Sequence, residues 1–350
     1  SRIRASRFAA WVVLAALLLA LIPATFAQET FGLSDTDFQL MTTANALSTS
    51  AQSFDYDFTL TLNASGADMG GSGYLMVTGS GEASEEAFSL VLSVAGTMDD
   101  ENVLSALEAR VVDETLYVNI QDPTTGETSG WIGMSLDDLG STLGEGFASQ
   151  FMESSNLDPA AADEIMQGDF SSIMQMPGVA EAMQSLATLD PAEYVAMSRL
   201  GDEAGTAHFS TEFDLRGLLQ SDVFISLAGL AMMSQAEEGM PTPQPEQLNA
   251  TATGAMAMIA AGIEQLDLSF DQYIGLDDGL VHRAVLNFGL NVDPTMFGEA
   301  GDPLALALNF DINLSEYNQP IGVVAPEGAQ IVTGEDMMNG NMPFVPQLAE

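Results

Sequence analysis

The chain has 350 residues, 47% of them hydrophobic, and sets 50 acidic residues against seven arginines with no lysine, for a formal net charge of −43. Such a balance repels nucleic acid and anionic headgroups, which excludes polyanion binding. The hydrophobic fraction is too high for a disordered acidic chain, and without cysteine the fold has no disulfides, so an ordinary core must hold it.

Arg2, Arg4 and Arg7 form a basic start to the chain, followed by the apolar run Ala9–Ile22, the breaker Pro23 and small residues at Thr25 and Ala27. This order predicts a signal peptide over residues 1–27. The apolar run falls short of the ~20 residues a membrane span requires, although a retained anchor is the alternative. The expected location is therefore extracytoplasmic, secreted or in the cell envelope. The expected domain layout is one folded unit over 28–333 and a flexible tail over 334–350. Self-repulsion in so acidic a chain must be screened by salt or bound cations.

Residues 28–50 predict a short helix, with Ser34 or Asp35 as cap and Phe38, Leu40, Met41 and Leu47 as its apolar residues. From Phe54 to Leu62 apolar and polar residues alternate strictly, the pattern of a half-buried strand. Strands follow at 74–78 and 86–97. Two more, within 108–120, flank a tight turn at Asp113-Glu114, and a short one covers Trp131–Met134. Over 136–200 alternation gives way to Ala- and Met-rich helix-like pieces at 143–153, 159–167, 170–188 and 191–198. Asp158-Pro159 and Asp190-Pro191 are helix-start pairs, with Asp as cap and Pro in the first turn.

Alternation resumes at Ala207–Leu215. A helical insert follows at Asp222–Glu238 and Thr251–Gln265, broken by a Pro-rich linker over Gly239–Pro245. Three long alternating strands close the pattern at 266–274, 280–292 and 304–314. In the segment Ser315–Val332, Pro320 cannot donate to a ladder and Pro326 stops pairing, so this stretch is expected to end the sheet at an open edge. The predicted fold class is α+β: one large curved antiparallel sheet, a half-open β-barrel, wrapping around helices on its concave side. Two separate smaller sheets are the alternative.

Three stretches carry a resemblance. Val112–Val118 with Gly130–Met134 looks like a hairpin of a Tyr-bearing strand and a Gly-Trp strand. Tyr273–Arg283 looks like an Asp-Gly turn between long strands, and Ser315–Pro326 like a closing strand. Together they resemble the mycobacterial LppX/LprG-type lipoproteins and, more distantly, the LolA/LolB lipoprotein carriers. The resemblance implies a half-barrel around helices whose hydrophobic cavity holds acyl chains. The lipid-anchoring cysteine of that family is missing, and the insert at 222–265 departs from its pattern.

Chemistry-bearing residues are sparse. With no Cys or Lys, a nucleophile–base pair would need His208 or His282, and no Gly-x-Ser-x-Gly elbow accompanies either. No catalytic residue, cofactor or metal is assigned, because the oxygen-rich turns at 99–102, 122–127 and 277–278 lack calcium-loop spacing. The sequons at Asn63, Asn249 and Asn313 count only in a glycosylating host.

Methionine suits surfaces that accept varied apolar shapes, and helices 224–233 and 255–263 are apolar nearly all round. The predicted ligand cavity is therefore lined by Phe224, Leu227, Met232, Met233, Met256, Met258 and Ile259, with Leu286, Phe288 and Phe310 on the strands. The expected function is a non-enzymatic, monomeric carrier for a lipid or other apolar small molecule, with transient membrane or envelope-protein contact. The alternative is a cell-surface structural or interaction module whose own side chains fill the core.

Overall fold

The computed structural model describes residues 30–66, 71–98, 101–121, 128–139, 189–225, 245–293, 295 and 303–333. The leader-like segment, most of the Met-rich helical pieces and the C-terminal tail lie outside the described residues. Helix α1 (Asp35–Thr49) opens the fold. A first run of strands follows: β1 (Ser53–Gly66), β2 (Gly71–Ser84), β3 (Ala87–Met98), β4 (Glu101–Val112), β5 (Thr115–Gln121) and β6 (Ile132–Ser135). A second run comprises β7 (Val195–Glu203) and β8 (Thr206–Phe213), then α2 (Leu215–Leu219) and α3 (Pro245–Gly262), then β9 (Ile263–Gly275), β10 (Val281–Val292) and β11 (Leu304–Ser315). The two-residue β12 (Gln330–Ile331) comes last.

All twelve strands form one open sheet in the order β12-β6-β5-β4-β3-β2-β1-β11-β10-β9-β8-β7. The two strand blocks are thus two antiparallel meanders, sewn together where the first strand meets the last long one. Strands β1 and β11 pair without a break from Asp55↔Ser315 to Ser65↔Ala305. Alternation enforces that register: a slip by one residue would turn Tyr56, Phe58, Leu60 and Leu62 to the solvent face. Tight turns hold the hairpins. Asp113 and Glu114 both take left-handed backbone (φ 50° and 59°) between β4 and β5, as do Ala204 and Gly205 (φ 50° and 87°) between β7 and β8. Two positive-φ residues match the twist of paired strands.

One face of the sheet is apolar across its whole width. Cross-strand partners share a face, so Phe88, Ala83, Phe54 and, one step along, Leu92, Gly79, Phe58, Ile312 and Ala284 lie on one side. The opposite side carries Asp57, Thr59, Thr61, Asn309, Asp311, Asn287 and Ser269. Helix α1 closes one end of the apolar face. Its Met41 and Ala44 join Leu33, Ala207, Phe209, Ile274 and Val281 in the core cluster, with Phe209 only 1% exposed.

The scarce cations tie this scaffold together. Arg199 bridges Asp37 of α1 (2.7 Å) to Asp202 of β7 (2.6 Å). Arg216 of α2 donates to the carbonyls of Ile263 and Glu264, and Arg283 of β10 pairs with Asp311 of β11 at 2.6 Å. Ser34 caps α1 by accepting from the Asp37 backbone, while its hydroxyl donates to the Asp37 carboxylate; that bond and the Arg199 bridge hold the Asp37 carboxyl below its ordinary value.

Three expectations are corrected. Residues 191–198 are not a helix. Asp190 caps a single 3-10 turn, Pro191–Glu193, and the chain then enters β7. The exposed edge of β8 offers a ladder of backbone partners that a short Ala- and Met-containing stretch takes in preference to its own helical bonds. The insert's last helix starts at Pro245 and ends at Gly262, so Ile263–Gln265 begin β9 with no loop between.

The third concerns the segment after β11, which does not pair beside β11 as a closing strand; it leaves that strand and supplies the open edge at the far end of the first meander. It is a strap that crosses seven inter-strand spacings from β11 to β12, ~34 Å. Its contacts mark the route: Ser53 Oγ donates to the Gln319 carbonyl (2.5 Å), the Gly322 amide to Glu82 (2.8 Å) and Arg110 to the Val324 carbonyl (3.2 Å). It ends as β12, parallel to β6, with Val332 buried. The edges of the sheet are β12 and β7. A bulge at Leu200 and the charges of Asp202 and Glu203 blunt the latter against pairing with another chain.

Candidate functional site: an aromatic stripe on the apolar face

Beyond the end closed by α1, the apolar face is built around rings. Tyr56 stacks on Phe88 (centroids 5.8 Å, 15°) and lies 6.4 Å from Phe58, which meets Phe310 at 5.7 Å. Room for these rings comes from β2, where Gly79 and Gly81 stand opposite Phe58 and Tyr56. A Cβ on Gly79 would strike the Phe58 ring, and one on Gly81 the Ser89 carbonyl and the Tyr56 hydroxyl. Tyr56 donates to the Ser89 carbonyl (2.6 Å), and burial pushes its phenol up to about 12. Further along the same face, Leu60, Leu62, Leu306, Leu308, Leu286, Phe288, Leu268 and Phe270 are half-buried rather than buried. An apolar surface left part-wet in the middle of a sheet is the kind of surface that takes an apolar ligand.

The predicted cavity residues divide. Leu286 and Phe310 are cross-strand partners on this face, and Phe288 follows Leu286 on β10. Met256 is buried on α3, but Met258 is 61% exposed and points away from any core. A helix turns successive residues by about 100°, so two methionines two positions apart cannot share one lining. Phe224 is half-buried. Leu227, Met232 and Met233 lie outside the described residues, as does the side chain of Ile259. Tyr56, Phe58 and Phe88 were missed as lining residues, although the alternation of 54–62 against glycines in the next strand was the available signal.

Each histidine faces a carboxylate. His208 is 3.2 Å from Asp271 and stacks on Tyr273 at 4.2 Å, while His282 is 2.9 Å from Asp278. Among the described residues, no three His, Cys, Asp or Glu side chains converge to hold a metal. No described helix is long and apolar enough to cross a membrane.

No family matches this chain. The scan against protein families found none, and no curated protein matches it. Among solved structures, it is similar to a β-barrel-like protein of a domain of unknown function, DUF1849, from Brucella abortus. The identity is 9%, covering 77% of this chain and 99% of that one, and the TM-score is 0.16. A superposition at that level carries no argument about fold or function. The remaining geometry of note is two depressions of about 320 and 410 Å³, both on the polar face and far from α1.

Proposed function

We propose that the chain is an exported, non-enzymatic binding protein that holds a lipid acyl chain or another apolar ligand against the apolar face of its sheet, in the manner of the LppX/LprG and LolA/LolB carriers it resembles in sequence pattern. The supporting observation is the aromatic stripe Phe88–Tyr56–Phe58–Phe310, in which Phe88, Phe58 and Phe310 are half-buried around the buried Tyr56, with its Leu286 flank. Binding of this kind needs no polar contact. Each methylene transferred from water contributes ~0.8 kcal/mol, so about a dozen supply on the order of 10 kcal/mol before association costs. That is compatible with micromolar affinity. The acidic exterior then keeps a loaded carrier soluble and clear of anionic membranes.

Native mass spectrometry of the purified protein, followed by organic extraction, tests this reading. Co-purified lipid, and a raised thermal midpoint on adding palmitate that Phe310→Asp abolishes, are the expected results. A clean apo mass together with no response to palmitate would sink it. The core cluster under α1 favours a second reading, a structural module whose own side chains fill the whole face. That reading predicts the clean apo mass.

A further inference from the structure

The two depressions on the polar face share Asn63, Gln265, Gly289 and Ala307 and so form one groove. It runs from Gln265 on β9 to Thr97 on β3, five inter-strand spacings or ~24 Å. A twisted sheet is saddle-shaped, so either face is hollow along one diagonal, and no helix is needed to make a groove there.

The lining of this groove differs from the rest of the surface. In a chain of 50 acidic residues, Asp267 is the only carboxylate among the described residues that line it, and none of these is a cation. Asp267 is already held by Gln265 at 2.6 Å. Its polar groups are amides and hydroxyls, set among apolar lining such as Ala305, Ala307 and Leu290. Asn309 donates to Asn287 (2.7 Å), which donates to Ser269 (3.3 Å), and Tyr74, 40% exposed, stands at the far end. Asn291 donates to Glu264 (3.1 Å), but its own carbonyl oxygen is shut off from water without a partner.

The floor supplies an independent sign. Gly289 sits mid-strand in β10 with ordinary extended backbone, and an added Cβ would lie 3.2 Å from the Gln265 amide nitrogen, which would have to shift by a few tenths of an ångström. Its conformation does not ask for glycine, and the one close contact is a side-chain end, whereas Gly79 faces a ring and Gly81 a backbone carbonyl. A strand glycine weakens the strand and marks a place where a ligand or another chain comes close. The backbone groups under the groove are spent in the ladder, so a peptide cannot add as a strand. An anion would be repelled by the whole molecule. A cation would find one carboxylate, already bonded. Planar amides that both donate and accept match vicinal hydroxyls.

We propose that this groove is a binding site for a neutral oligosaccharide, with Asn287 and Asn309 bonding its hydroxyls and Tyr74 stacking on a sugar ring. The site is on the opposite face from the apolar stripe and does not rest on the lipid reading. The test is calorimetric titration of the full chain with maltohexaose, cellohexaose and mannohexaose, repeated on Asn287→Leu/Asn309→Leu and on Gly289→Val. At least one saccharide should bind, and both variants should weaken it by about tenfold or more, the loss of one or two hydrogen bonds or of the floor space. Both variants should unfold at or above the wild-type temperature, since each adds β-propensity. No binding by any of the three, or equal binding by the folded variants, would overturn the proposal. So would binding of acidic oligosaccharides or peptides in their place.

Discussion

Comparing Phe209→Ala with Phe310→Ala separates a sealed core from a face with room on it. Both rings lie on the apolar side. Phe209 is 1% exposed, packed among Ala207, Ile274 and α1, with the Arg199 guanidinium 5.8 Å over its ring. Truncating a fully buried Phe costs ~3–5 kcal/mol, transfer and cavity together. At ~2.1 cal/mol/K per residue a folded unit of about 300 residues shifts its midpoint by roughly 1.5 °C per kcal/mol, so a fall of at least ~4 °C is expected. Phe310 is half-buried, and its closest ring contact is the tilted Phe58 at 5.7 Å. Its loss forfeits that pair, ~0.5–1.5 kcal/mol, and only part of the burial, for ~1.5–3 kcal/mol in all. Urea unfolding followed by circular dichroism reads both values, provided the slope is unchanged. If Phe310→Ala costs as much as Phe209→Ala, the far end is a closed core and the argument for a ligand there fails.

Two further outcomes check the physical reading of the sheet. Gly81→Ala, which drives a Cβ into the Ser89 carbonyl, should cost on the order of 3 kcal/mol, whereas Gly289→Ala should stabilise by ~0.5–1 kcal/mol; equal effects in urea unfolding would contradict the distinction drawn between these glycines. Asp55 faces Glu82 across β1 and β2, and desolvation, with Glu82 and Glu316 nearby, raises its carboxyl above the ordinary value. Ionised Asp55 therefore opposes folding, and wild-type stability contributed at this site is lost as pH rises through the raised value. Asp55→Asn should be more stable than wild type at neutral pH by ~0.2–1 kcal/mol and no different at about pH 3, where both states are protonated; a constant difference across that range would refute the assignment.

Much of the sheet was legible because alternation is a local signal. Phe54–Leu62, 280–292 and 304–314 show it strictly, and each lies within a strand whose register follows from it. The turn at Asp113-Glu114 was legible for the same reason. Residues 101–107 and 79–84 were not read as strand, since Gly79, Gly81 and Ala83 carry no apolar pattern. Both are strand through their pairing with neighbours, and the glycines of 79–84 leave the space that the Phe58 and Tyr56 rings fill. The candidate site was half legible. Leu286, Phe288 and Phe310 came from alternation, but the methionines were gathered by composition, and Met256 and Met258 part company once the helix sets their angles.

The amino-acid sequence by itself determined which residues lie on each side of the strictly alternating strands, because a period of two leaves no other choice once one face must be dry. It also determined that cations would be few and every arginine valuable. Only the tertiary structure decided that two strand blocks make one sheet, since pairing β1 with β11 joins residues about 250 positions apart and no local pattern encodes a partner. The same holds for the segment from Ser315 to Val332. Its prolines say that it cannot pair along most of its length; where it goes instead, across the sheet to Val332 beside β6, depends on Glu82 and Arg110 waiting on strands far away in sequence.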